Sequence, residues 1–333
     1  MSLPHNPTMK AFVRDRFGSP DVLRLAEVPV PELGDEQVLV RVRASAINAH
    51  DWHMLRGKPY IARLSEGVRR PKAAIVGLDV AGTVEAVGAS VTQLHAGDRV
   101  FGSRFGAFAE FVAGKNMVHI PEGVAFETAA AVPTAGQTAL QGLRDHGALR
   151  LGERVLVNGA GGGVGTFAVQ IARALGAEVT AVTRAANVEL VRGLGAAEVI
   201  DHGAVDFTRG SARYDLVLDA GGNHSLRALR RVLSSTGRIV LVAPAHGQWI
   251  GPLARMAAAA LSKRYGDGRV RGFLAEVRRD DLTELGRMLA DGSLRPVIDR
   301  TFPFERIPEA IRHVEEGNAR GKVVITTAPT PVR

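Results

Sequence analysis

The segment SAINAHDWHML, residues 45–55, sets His50 and His53 on either side of Asp51. Both residue types bind metals well, and a spacing of three puts the two imidazoles on one face of a helical turn. A lasting site needs a third or fourth ligand, and the window is short. The chain has no cysteine, which excludes thiolate zinc sites, iron–sulfur clusters, disulfides and a cysteine nucleophile. No metal is expected here; a His50–Asp51–His53 site stands as the alternative.

A second stretch, VLVNGAGGGVGTFAVQIARALGAEV (155–179), carries glycines at 159, 161, 162, 163 and 165 between an apolar strand and an amphipathic helix. Such a loop lets backbone N–H groups approach a pyrophosphate, and the helix N-terminus adds partial positive charge. The strict G-x-G-x-x-G spacing is not met: Gly162 and Gly165 match its last two glycines, but Ala160 holds the first place. Strand, loop, helix and second strand nevertheless follow in the order a dinucleotide site requires. The loop residues Gly159, Ala160, Gly161, Gly162, Gly163, Val164 and Gly165 are therefore expected cofactor contacts. An NAD site has an acid at the end of the second strand, about 20 residues on. Here that strand ends TAVTRAAN, with Thr183 and Arg184 in the place of the acid. An arginine there suits a 2′-phosphate, which predicts NADPH.

The elements that must hold these residues divide the chain. The first 120 or so residues read as β, with KAFVRD, EQVLVRVRASA, DVAGTVEAVG and DRVFGS separated by Gly, Pro, Asp and Ser. AFETAAAVPTAGQTALQGLRDHG then reads as helix, with Gly147 as its stop. From Glu153 strands and helices alternate, which implies a parallel sheet. GPLARMAAAALS (251–262) and DLTELGRMLADG read as helices, and the chain closes on strand–helix–strand.

Composition is that of a globular chain, 46% hydrophobic and 23% charged. No run of about 18 apolar residues occurs, so no membrane span is expected. The formal charge of +8 permits polyanion binding, but the basic residues are dispersed and aromatics are only 5%.

With these pieces in place the chain resembles the medium-chain dehydrogenase/reductase superfamily over nearly its whole length. Within it the chain is similar to the quinone oxidoreductase branch, the zeta-crystallin-like group that uses no zinc. The matching stretches are GSPDVLRLAEVPVPELGDEQVLVRVRASAIN, GLDVAGTVEAVG, AGDRVFG, GAFAEFV, TAGQTAL, GAGGGVG and ARGKVVI. The resemblance implies an α/β protein of two domains. A GroES-like, partly closed β-barrel (9–132 and 298–329) would surround a Rossmann domain (133–297), a doubly wound parallel sheet.

Zinc-dependent members have a cysteine ligand where Asn48 stands and a histidine where Leu78 stands, so the resemblance implies that the inherited zinc site is lost. It also implies hydride transfer across a cleft between the domains. Asn48 would lie beside the nicotinamide, with Asp51 and Trp52 on the same segment of the site. Thr138 of GQTAL would contact the nicotinamide half. Asn187 and His202 would sit near the 2′-phosphate, and Ala243 and Lys322 would complete the cofactor contacts.

Without a Lewis acid the acceptor must already be electrophilic, so the expected activity is NADPH-dependent reduction of a quinone or an α,β-unsaturated carbonyl. An alcohol dehydrogenase or carbonyl reductase of the same superfamily is the alternative. An NADPH-binding protein with a nucleic-acid or scaffolding role is the alternative of another class. A cytoplasmic homodimer is expected, paired through RIVLVAPAHG as the last strand and edge of the parallel sheet.

Overall fold

The computed structural model describes residues 7–58, 60, 63–242 and 268–327. They form two compact units. Ala243 and the helix expected over 251–262 fall outside the described residues.

The first unit takes in residues up to Thr134, Val277–Ala290 and the chain from Ile298. Its elements are β1 (Thr8–Val13), β2 (Arg24–Pro29), β3 (Val38–Ile47), α1 (Ala49–Arg56), α2 (Arg63–Glu66), β4 (Asp79–Val87), β5 (Arg99–Ser103), β6 (Phe111–Gly114), β7 (Met117–His119) and α3 (Phe126–Ala130). β1 and β2 form a separate antiparallel pair. The main sheet runs β14-β15-β3-β4-β5-β7, with β6 also on β3; β14 is Ile298–Pro303 and β15 is Lys322–Thr326. The two C-terminal strands thus complete the N-terminal sheet.

Period-two alternation fixes its faces. Val38, Val40 and Val42 of β3 point into one core with Val80, Val84, Val100 and Val112. The helix between β14 and β15 (Ile307–Glu315) packs Ile307, Ala310 and Ile311 with Leu55 of α1 in another.

Register is what assembles chemistry. Ala46 pairs with Asp79, Asp79 with Ser103, and Ile47 with Val323. The end of β3, the starts of β4 and β15, and the end of β5 therefore meet at one corner of the sheet.

The second unit spans Ala135–Glu276 and Asp291–Val297. Its strands are β8 (Arg154–Asn158), β9 (Glu178–Thr183), β10 (Glu198–Asp201), β11 (Tyr214–Asp219), β12 (Leu233–Leu241) and β13 (Val270–Gly272). They lie in the order β10-β9-β8-β11-β12-β13, and every pairing is parallel. This is the 3-2-1-4-5-6 order of a dinucleotide-binding sheet, whose order reverses between β8 and β11. Continuous apolar burial along β8, β9 and β11 follows from helices covering both faces.

Two sequence expectations change. β12, the core of RIVLVAPAHG, is not the edge: β13 pairs with it through Ile239, Val240 and Leu241. A three-residue strand reading Val-Arg-Gly carries no alternation from which to foresee it. The long helix expected over 125–147 is broken at Pro133, whose ring suits the first turn of a new helix, α4 (Pro133–Gln141). A wider turn, Gly142–His146, follows, and the Gly147 N–H closes it on the Gly142 carbonyl.

Candidate active site

At the corner of the first unit's sheet three buried side chains close a ring. Asp79 and Lys322 are 0% and 2% exposed, and their charged atoms lie 3.3 Å apart. Asn48, the residue between β3 and α1, donates from Nδ2 to Asp79 Oδ2 at 3.0 Å, while Lys322 Nζ donates to Asn48 Oδ1. The other Asp79 oxygen accepts from the Thr134 N–H at 2.9 Å, from the Thr134 hydroxyl, and from Ser103 Oγ at 3.3 Å. Thr134 opens the helix that starts at Pro133, so the carboxylate also meets the positive end of that helix. Ser45 Oγ donates to the Asp79 carbonyl at 2.6 Å.

Asp51 lies at the third position of α1, and its carboxylate accepts from the Asn48 N–H at 2.7 Å. It is 1% exposed. Burial, with the Asp79 charge adding to it, pushes the Asp51 pKa up to about 7 against the bond from Asn48 and the Lys322 charge.

The histidines do not converge with it. His50 leans toward the Phe105 ring, 5.7 Å away. His53 stacks on Trp52 at 3.6 Å, and its Nδ1 is buried without a hydrogen-bond partner. Burial, then the nearby His50, lowers the His53 pKa. Trp52 packs on the core beneath α1. Among the described residues no group of three His, Asp or Glu side chains is arranged to hold a metal ion.

In the second unit the glycine loop leads from β8 into α5 (Gly163–Ala174), with Gly162 as the residue that caps it. Gly159 has φ +85°, a conformation that favours glycine, and the Gly159 and Ala160 N–H groups both reach the Val182 carbonyl of β9. A Cβ on Gly165 would stand 2.1 Å from the Gly159 oxygen, so only glycine lets the helix approach the loop. A Cβ on Gly161 would stand 2.4 Å from Asn187 Nδ2 and 2.6 Å from Thr183 Oγ1.

Loop, Thr183 and Asn187 thus share one small space, and the buried Asn187 Oδ1 has no partner there. Arg184 follows Thr183 and is exposed, and His202 donates its N–H to the Thr183 carbonyl at 3.0 Å. Asp201, opposite Thr183 on β10, spends one carboxylate oxygen on the Gly203 N–H. At the point where the sheet order reverses, Asn158 Nδ2 bridges from the end of β8 to Asp219 at the end of β11, 2.7 Å away. A bare glycine cradle, an unpaired buried acceptor and a helix N-terminus are what a dinucleotide phosphate and ribose would fill.

Residues 34–122 match the family model for the alcohol dehydrogenase GroES-like domain, and residues 194–325 match that for the zinc-binding dehydrogenase. The mitochondrial NAD(P)H oxidoreductase RTN4IP1 of Bos taurus is 34% identical, over 97% of this chain and 90% of that protein. The chloroplastic quinone-oxidoreductase QR1 of Triphysaria versicolor is 31% identical over 95% and 98%. The solved quinone oxidoreductase of Coxiella burnetii superposes with a TM-score of 0.85 at 29% identity, over 97% of this chain and all of that one.

The chain belongs to the medium-chain dehydrogenase/reductase superfamily. Within the superfamily it falls in the quinone oxidoreductase branch, and it is an oxidoreductase that uses a nicotinamide cofactor.

One family model carries zinc in its name, but the donor set here does not fit zinc. The Asn48 amide is tied to Asp79 and Lys322, Leu78 has no donor, and the chain has no cysteine.

The structure sorts the expected residues into two groups. Asn48 and Asp51 come together at the sheet corner, and Lys322, expected among the nucleotide contacts, joins them there. The glycine loop, Thr183, Arg184, Asn187 and His202 gather at the strand ends of the second unit, and Thr138 lies on the helix that begins at Pro133. Asp79, Ser103 and Thr134 went unforeseen as site residues. Asp79 stands inside the GLDVAG motif, and an acid within an apolar strand start is the signal that marks it.

Proposed function

We propose that the chain transfers hydride from NADPH to a quinone or an α,β-unsaturated carbonyl without zinc. The observation that carries this reading is the pair Asn48 and Leu78, which offers no Lewis-acid site to polarise an alcohol or simple carbonyl. Conjugated acceptors delocalise the incoming charge themselves. The cofactor, when bound, supplies the hydride.

The chain's own residues bind and orient. Gly159–Gly165 and the α5 N-terminus take the pyrophosphate, and Thr183 and Asn187 take the adenosine ribose. Arg184 and His202 take the 2′-phosphate. Thr138 contacts the nicotinamide half. Asn48 offers its amide to the acceptor oxygen or the nicotinamide ribose, and Asp51 caps the helix that presents it.

A panel of quinones, enones, aldehydes and ketones, followed by NADPH oxidation with and without EDTA, tests the reading. Quinones or enones should turn over fastest, and EDTA should leave the rate unchanged. Preference for aldehydes or ketones together with loss on EDTA would favour the alcohol dehydrogenase reading.

A homodimer and a cytoplasmic location belong to the same proposal. Among the described residues Val270–Gly272 is the outer strand of the parallel sheet, a short edge that a second copy can extend. Among the described residues no helix is long and apolar enough to cross a membrane.

A further inference from the structure

We propose that Asp79 and Lys322 are positioning residues, a buried ion pair that fixes the Asn48 amide in the one orientation in which it meets its ligand. The proposal rests on the role given to Asn48 above.

The ring runs from the Lys322 ammonium to the amide oxygen, from the amide nitrogen to the Asp79 carboxylate, and from the carboxylate back to the ammonium at 3.3 Å. An amide has nearly the same shape when flipped, so only its hydrogen bonds decide which end points where. A flipped Asn48 would set its NH2 against an ammonium and its oxygen against a carboxylate. In a place closed to water neither repulsion is screened.

The frame is rigid on all sides. Asp79 is held by Thr134 and Ser103, and Asn48 by Asp51. The second hydrogen of Asn48 Nδ2 makes only a 3.4 Å contact, to the Ala46 carbonyl. Oδ1 already accepts from Lys322 and also serves the capping box of α1 with the Asp51 N–H, so the hydrogen on this long bond is the one a ligand can draw. The ammonium on the amide oxygen also polarises the amide and strengthens it as a donor.

Stability alone gives a weak reason to keep such a pair. Desolvating two charges is costly, and well-packed apolar residues of similar volume are often as stable or more so. What apolar residues cannot do is tell the two ends of an amide apart.

The test separates orientation from stability. Asp79→Asn and Lys322→Met each leave one buried charge unpaired, so each should lower the thermal midpoint. The double variant leaves none and should recover most of that loss. If the pair orients Asn48, kcat of the double variant with the fastest acceptor stays at least about tenfold below wild type, while the Kd for NADPH moves by less than about twofold. Recovery of kcat together with the midpoint overturns the proposal.

Lys322→Arg keeps the charge and moves the donors, so it reads geometry without emptying the site. It too should lower kcat, and an unchanged kcat overturns the proposal by itself. Full turnover in Asn48→Ala would remove Asn48 from the site and the proposal with it. Failure of the functional reading looks different: the wild type then reduces no quinone or enone, and the basis of the proposal falls.

Discussion

Replacing Asp51 with asparagine keeps the shape and the acceptor for the Asn48 N–H but removes a titrating group. Asp51 is buried, and its pKa stands at about 7 against an ordinary 3.8. A carboxyl whose pKa rises on folding holds its proton more tightly in the folded state. Its contribution to stability is therefore complete below the unfolded value, declines as pH climbs from about 4 toward 7, and is gone above that. At about 1.4 kcal/mol per pH unit the full change is on the order of 4 kcal/mol.

The wild type should lose that much more stability than Asp51→Asn between pH 4 and pH 8. Denaturant unfolding of both proteins, followed by tryptophan fluorescence across this range, measures the difference. A carbon-13 NMR titration of the Asp51 carboxyl reads the midpoint directly. A stability difference flat in pH, or a midpoint below about 5, would refute the argument from burial.

Gly165→Ala puts a methyl 2.1 Å from the Gly159 oxygen and 2.6 Å from Ala160 Cα. The helix must then withdraw from the loop, and NADPH affinity in a fluorescence titration should fall at least about tenfold. Arg184 should favour NADPH over NADH by at least about tenfold, since one charge-assisted contact to phosphate is worth roughly 1.5–3 kcal/mol. Arg184→Asp should abolish or reverse that preference, and equal binding of both cofactors by the wild type would remove Arg184 from the site. Elemental analysis after dialysis should find no stoichiometric zinc; about one zinc per chain would overturn the reading of Asn48 and Leu78. Light scattering at micromolar concentration should give the mass of a dimer, and a monomer mass would count against pairing at the sheet edge.

What the sequence makes legible follows from how local each signal is. β8, the glycine loop, α5 and β9 are contiguous, and each carries its own pattern: an apolar run, glycines at special geometry, a helical period. The end of β9 could therefore be read for cofactor choice before any fold was known. The ring of Asp79, Asn48 and Lys322 has no local signature. Lys322 is 243 residues from Asp79 and 274 from Asn48, and only the antiparallel registers of β3 with β4 and β15 bring the three together. Lys322 by itself reads as a solvent or cofactor contact, because lysines are rarely buried without a partner. β13 was hidden for the opposite reason: it is too short to show a period, and its place is set by the exposed side of β12.

The net positive charge bears on the choice between an enzyme and a nucleic-acid binder. The excess of +8 remains after every acid is counted, but many of the individual basic residues are paired locally. Arg192, Arg209, Arg287 and Arg306 each pair with an acid three residues away. Arg238 and Glu153 form a half-buried pair, and Arg312 reaches Asp21. Such pairs add little to stability at a surface, but they break a positive field into short dipoles that cannot track a phosphate backbone. Single-strand binding also needs exposed aromatic faces for stacking, and among the described residues Phe105, 47% exposed, is the one aromatic that offers such a face. Arg184 differs in setting. It is exposed directly after β9, whose last residue, Thr183, faces the glycine loop. Charge broken up in this way suits a ligand carrying a few phosphates better than a polymer carrying many.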